Sequence, residues 1–318
     1  MSLSLGSTSI GSLYLGSTKI GSAYAGSTKV YGSSPALPAY TIRLKYADGV
    51  TPTFTYGTAT QVSSSPNVWD LTYENPNWAS LLYNHTDLIS VLAANTSNVT
   101  QMSSMFYKCS SLSEVALFDT SNVVYCNGMF RDCMALPAVP LFDTSKVTDI
   151  SHMLQRTAIV SVPLYNTSSV TNMDNMLSSC TSLTTVPLFD TSSVTSMDQM
   201  LSSCTSLTTV PLFDTSSVTN MHQMLTGCTS LTTVPLFDTS SVTNMSSFAY
   251  NCFNVQTGAL ALYQQASSQQ NPPSNYSSAF YQCGKYTVSG AAELAQIPFS
   301  WGGTLVENGD DDDPGEFG

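Results

Sequence analysis

Charge is what this sequence has least of. Asp, Glu, Lys and Arg make up 9% of its 318 residues, and nine Lys and Arg face 21 Asp and Glu, for a net charge of −12. So few cations leave no basic footprint of the kind nucleic-acid binding requires. Histidine is confined to His85, His152 and His222, and no Ser/His/Asp order stands out. Glu is rare, which leaves little material for the carboxylate pairs of glycoside cleavage. No Gly-rich phosphate loop follows a strand pattern. The eight cysteines include no C-x-x-C, the paired spacing that zinc sites use. The sequence therefore offers no catalytic constellation, no metal site and no cofactor motif, and reads as non-enzymatic. No stretch is long and apolar enough to cross a membrane. Met1–Gly6 lacks both a basic n-region and an apolar h-region, so the expectation is synthesis in the cytoplasm without a signal peptide.

What the sequence has is repetition. Cys180, Cys204, Cys228 and Cys252 are 24 residues apart, as are Cys109 and Cys133. Thr96, Thr120, Thr144, Thr167, Thr191, Thr215 and Thr239 open seven units in the same register, with one step a residue short, in the unit where Thr157 takes the cysteine slot. A unit copied this closely cannot bury its own apolar face and must stack on its neighbours. In the first half of each unit, Val170, Met173, Met176, Leu177 and Cys180 stand at three- and four-residue spacing, which predicts one face of a short helix. The second half, Leu183-x-x-Val186-x-Leu188, predicts a strand with Val186 and Leu188 inward and Thr185, Pro187 and Phe189 outward. Stacked as a parallel sheet at about 4.8 Å per repeat, seven units would form a rod of roughly 34 Å.

The run F-D-T-S-x-V-T-x-M-x-x-M-x-x-x-C-x-S-L-T-x-V resembles the BspA-type leucine-rich repeat of bacterial surface proteins and gut bacteriophage proteins, over roughly Thr96 to Cys252. The expected fold class is accordingly an α/β repeat. It is a leucine-rich-repeat-like solenoid with a parallel β-sheet and short helices, preceded by a β-rich Gly-Ser-Thr arm.

Five segments follow. Residues 1–34 carry a ten-residue repeat, with Gly-Ser-Thr at 6, 16 and 26, a series Ile10, Ile20, Val30, and a pair Tyr14 and Tyr24. This segment reads as an assembly or attachment arm, since half-formed strands pair with other chains. It resembles the N-terminal arms of phage tail and head-fibre proteins. Residues 35–95 read as the N-terminal cap, with a strand at Tyr40–Tyr46, a turn at Asp48-Gly49, a returning strand at Thr53–Tyr56 and another strand at Leu88–Leu92. Residues 96–254 are the seven units. Residues 255–306 hold a short helix at Gly258–Ala266, a degenerate unit ending at Cys283 and a C-terminal cap, and residues 307–318 an acidic tail.

Two ladders have bland readings beside sharper ones. Equivalent cysteines stack, and read as buried free thiols. Asp119, Asp143, Asp190, Asp214 and Asp238 read as turn or cap residues, with a row of bound cations as the alternative. Two surfaces are candidates for recognition. The strand face would present Phe118, Phe142, Tyr165, Phe189, Phe213 and Phe237 beside Thr185, Thr209 and Thr233. Facing outward, such a stripe would stack on sugar rings; otherwise it packs on itself or on a neighbouring subunit. The helical edge, where units differ most, presents Tyr107, Arg131, Arg156, His222 and Tyr250.

Together these readings predict a bacteriophage virion structural protein, a tail or head fibre or decoration, whose arm binds other virion proteins. Its repeats would bind a host cell-surface protein or polysaccharide. A homo-oligomer is expected, with no nucleic acid and no membrane insertion. The alternatives are a purely structural decoration protein that contacts only phage proteins and a bacterial cell-surface adhesin, which would be expected to carry a signal peptide.

Overall fold

The computed structural model describes residues 37–304, preceded by four two-residue strands, β1 (Tyr14–Leu15), β2 (Thr18–Lys19), β3 (Tyr24–Ala25) and β4 (Thr28–Lys29). Residues 1–38 and 39–318 are separate compact units. In the first, β1 pairs with β2 and β3 with β4, both antiparallel. Tyr14 and Tyr24 open the two pairs, whereas Ile10, Ile20, Val30 and the acidic tail lie outside the described residues.

The second unit begins with a five-stranded sheet, order β6-β7-β5-β8-β9, built from β5 (Thr41–Tyr46), β6 (Thr58–Ser64), β7 (Asn67–Thr72), β8 (Leu88–Asn95) and β9 (Glu114–Val115). Only the β8–β9 pair is parallel. Ile42, Leu44 and Tyr46 alternate into the core as the sequence predicts. The returning strand does not form at Thr53–Tyr56; β6 lies further on and pairs with β7, so β5 sits between β7 and β8.

The expected leucine-rich-repeat architecture is overturned. Among the described residues the only α-helices are α1 (Ala259–Ser267) and α2 (Val288–Leu294), both beyond the repeats. Among the described residues the only sheet with more than two strands is the small mixed one just described. The repeats contain no helix, and instead of a parallel sheet they make isolated parallel bridges. One row of these joins Asn77, Gln101, Tyr125, Asp149, Asn172, Ser196, Asn220, Asn244 and Asn275.

The backbone hydrogen bonds explain why three- and four-residue spacing did not produce a helix. In an α-helix each N–H reaches four residues back within the same segment. Here alternate N–H groups leave the coil. Met173, Asn175, Leu177 and Ser179 donate to Ser196, Asp198, Met200 and Ser202 of the next coil, while Met176, Ser178 and Cys180 donate three residues back to Met173, Asn175 and Leu177. The chain is a run of tight turns, each second peptide stitched to its neighbour. Such turns need a positive φ at every fourth residue, which Asn175 (φ 56) and Ser179 (φ 61) supply. Equivalent positions in other coils hold Gln199, Ser203, Gln223 and Gly227, and no β-branched residue, the type that left-handed backbone tolerates least.

Each coil then buries the same set. In one, Val194, Met197, Met200, Leu201, Cys204, Leu207, Val210 and Phe213 are all buried. Burying a side chain of this size contributes roughly 1.5–3 kcal/mol, enough in sum to hold the coil without regular secondary structure. Buried threonines tie the coils at their openings: the hydroxyls of Thr167, Thr191 and Thr215 donate to the carbonyls of Asp190, Asp214 and Asp238 at 2.7–2.8 Å.

Two caps end the stack. At the far end α1 lies over the last coil, with Leu262 and Ala266 buried and Gln265 donating to the Phe237 carbonyl at 2.7 Å. The α1 N-terminus is met by the Glu293 carboxylate from α2, which accepts from Leu260 N–H at 3.1 Å. Gly258 (φ 101) is required where the chain turns into α1, because a Cβ there would meet the Val234 carbonyl oxygen at 2.1 Å. The final coil donates from Phe280 N–H to the Trp301 carbonyl, and the Trp301 ring stacks on Tyr276 at 4.2 Å.

Candidate functional site

The strand-face site is not on the surface. Phe118, Phe142, Tyr165, Phe189, Phe213 and Phe237 are all buried, Phe213 being 2% exposed. The rings form a core ladder, with Phe189–Phe213 and Phe213–Phe237 stacked at 6.5 and 6.4 Å. Thr185, Thr209 and Thr233 are exposed as expected, but no aromatic stripe lies beside them. The phase shift is local. Phe189 N–H donates to the Pro187 carbonyl at 2.9 Å, a three-residue turn centred on Leu188. The same bond recurs at Phe142, Tyr165, Phe213 and Phe237. This turn breaks the two-residue alternation, so the ring points in and the leucine out. Leu117, Leu141, Leu164, Leu188, Leu212 and Leu236 therefore form an exposed row, Leu188 at 62%. The sequence reading placed Leu188 inside. The signal it passed over was Pro187 and its equivalents Pro140, Pro163, Pro211 and Pro235, which have no N–H to give a central strand.

The two polar ladders resolve into packing roles. All eight cysteines are free and buried. Each in-register thiol donates back to the preceding coil, as Cys204 does to the Leu177 carbonyl at 3.2 Å and Cys228 to Leu201 at 3.1 Å. Burial pushes the Cys228 thiol up to about 12. The aspartates close turns: Asp190 and Asp214 accept from Ser192 and Ser216 through both the hydroxyl and the backbone N–H. Those bonds hold both carboxyls below their ordinary range.

The remaining candidate is the edge formed by the turns. All five of its predicted residues lie there, at the surface or half-buried, on one fixed backbone: Tyr107, Arg131, Arg156, His222 and Tyr250. Their chemistry is segregated along the stack. At the first coils Tyr83 and Tyr107 meet edge-on at 5.2 Å, with Lys108 Nζ 5.2 Å and the Arg131 guanidinium 5.3 Å from the Tyr107 ring centre. Arg156 lies 3.4 Å from the buried Asp132 carboxylate. In the middle Asp174 accepts from Asp198 N–H at 2.9 Å, and Asp198 meets His222 Nδ1 at 2.9 Å. Burial raises the Asp174 carboxyl. At the far coils Tyr250 stacks on Tyr281 at 4.9 Å. Tyr83 and Tyr281 were not anticipated; each extends the row that Tyr107 and Tyr250 mark.

Tyr83 also borders a cavity of about 260 Å³ in the cap, whose other walls include Thr51, Thr53, Thr55, Asn84 and Thr86. Its floor is rigid. His85 stacks on Phe54 at 5.4 Å, and its Nδ1 lies 2.7 Å from the Tyr46 hydroxyl. Burial lowers the His85 pKa, with Asp87 opposing. Among the described residues no cluster of His, Cys, Asp or Glu could hold a metal ion.

A stack of near-identical coils, closed by caps and carrying a varied ladder on one edge, defines a repeat protein with a display surface. The family model described as "Mycoplasma protein of unknown function, DUF285" matches residues 77–185 and again residues 158–263, more than half of the chain. The chain belongs to this family, a BspA-like repeat family. No curated protein and no solved structure matches it.

Proposed function

We propose that this chain is a non-enzymatic adhesion protein of a bacteriophage particle, with the arm seated on other virion proteins and the coil stack displaying its turn edge to the host surface. One observation carries the adhesive part. The turn edge holds tyrosine pairs and unlike charges on coils whose buried residues scarcely change. A scaffold that is constant inside and varied along one face is how repeat proteins present a binding surface. The virion part rests on the resemblance of the arm and repeats to phage fibre proteins.

The test is binding of the full chain to whole host cells. Saturable binding that falls about tenfold or more in Tyr107→Ala with Tyr250→Ala, at unchanged thermal stability, is the expected result. Binding that ignores both tyrosines sinks the turn-edge reading. A second reading, a decoration protein contacting only phage proteins, is favoured by the exposed leucine row, since aligned apolar side chains suit a protein partner. That reading gains if no host is bound while Leu188→Glu with Leu212→Glu abolishes incorporation into particles.

A further inference from the structure

Resting on the adhesive reading of the turn edge, we infer that the first coils and the cap cavity beside them form one site for an anionic saccharide. The cavity takes a hydroxyl-rich ring. Tyr83 and Tyr107 take apolar ring faces, and Lys108 and Arg131 take a carboxylate or phosphate.

Two cations at the first coils point to this ligand. Of the seven Lys and Arg among the described residues 37–304, five (Lys45, Lys108, Arg131, Lys146 and Lys285) have no carboxylate within 4.0 Å, and two of those five stand together here. Arg43 meets Asp70 at 2.7 Å and Arg156 meets Asp132 at 3.4 Å. Lys108 and Arg131 do otherwise. They converge on a single ring, and neither has a carboxylate within 4.0 Å among the described residues. Arg131 Nε is shielded from water and has no hydrogen-bond partner. Two cations beside one ring offer an anion charge-assisted hydrogen bonds.

The adjoining cavity narrows the class. Its volume, about 260 Å³, suits one sugar-sized ring; pockets for larger ligands run from about 300 Å³. Four threonines, Asn84 and Asp87 line it, donors and acceptors that match a ring bearing several hydroxyls, and the Asp87 carboxylate leaves the ligand's anionic group to Lys108 and Arg131 outside it. A peptide anchor would want an apolar wall instead. A nucleic acid would meet the field of a chain at −12, and the two cations at this site are too few to neutralise a phosphate backbone. Tyr83 lines the cavity and touches Tyr107, so cavity and cations share a continuous surface.

The experiment measures the full chain on immobilised polygalacturonate, its carboxyl-reduced form and a phosphate-bearing mannan, alongside whole host cells. Variants are Lys108→Gln with Arg131→Gln. Glutamine already stands at the equivalent positions Gln282 and Gln155, so the fold is undisturbed, and melting curves check this. The expected result is salt-sensitive binding to polygalacturonate or the phosphomannan, at least tenfold weaker in the double variant and absent on the reduced polymer. The two anionic arms separate carboxylate from phosphate. Equal binding to the reduced polymer, or no loss in the double variant, overturns the inference. Binding to cells but to neither anionic polymer also overturns it and leaves the adhesive reading standing. Binding to nothing removes both.

Discussion

Leu212 and Phe213 are neighbours that face opposite media: the leucine side chain is 60% exposed and the ring 2%. The bond from Phe213 N–H to the Pro211 carbonyl sets this orientation, and sequence alternation would have set the reverse.

A pair of substitutions reads it directly. Phe213→Ala opens a cavity in a stacked ring ladder and should cost about 3–5 kcal/mol. Leu212→Ala removes an exposed side chain and should stay within about 0.5 kcal/mol. Urea unfolding of the full chain measures both. Equal costs would mean that the phase of the turn is misassigned.

The thiols offer a second check. Burial pushes Cys109, Cys126 and Cys228 up to about 12 and raises the other five as well. The thiolate is the reactive form, so the native chain at pH 8 should consume almost no aromatic disulfide reagent. Unfolded in guanidinium, it should consume eight equivalents, one per cysteine. Rapid labelling of the native chain would show that the coils open far more readily than their packing implies.

His85 should give stability a pH dependence above the carboxylate range. Its pKa is lowered by burial in the fold, against about 6.5 in an unfolded chain. The unfolded state therefore takes the proton first. Stability from this site is whole above pH ~6.5 and falls as pH drops through the lowered folded value. Asp143, Asp190 and Asp214 are themselves held low by serine hydrogen bonds, so their contribution is lost only below pH ~4. Unfolding midpoints between those limits should slope in the native chain and slope less in His85→Gln. Parallel profiles would exclude His85 as the source.

The period was fully legible: cysteine and threonine spacing gave the unit, and the same positions are buried in coil after coil. The conformation was not. Val194, Met197, Met200, Leu201 and Cys204 recur at three and four residues, which a helix face and a chain of tight turns satisfy equally. What separates them is the destination of the backbone N–H groups, and half of those go to another coil, 24 residues away in sequence and invisible to a local pattern. The positive-φ positions gave a faint sign, since Asn175, Ser179, Gln199 and Ser203 avoid β-branched types. The five residues named for a helical edge lie instead on a row of turns, since the repeats form no helix. The cavity escaped notice because its walls come from a cap loop and the first coil, segments that no repeat aligns.

The stitching by alternate peptides has a bearing on how such a chain changes over generations. Each coil offers its neighbour the same donors and acceptors whatever side chains it carries, and the caps recognise only the coils they touch. Units as alike as 191–214 and 215–238 also invite unequal crossing-over in the DNA that encodes them. Gaining or losing one coil would lengthen or shorten the outer edge without disturbing either end. Reach and valency would thus be inherited as a copy number, adjustable in a single recombination event.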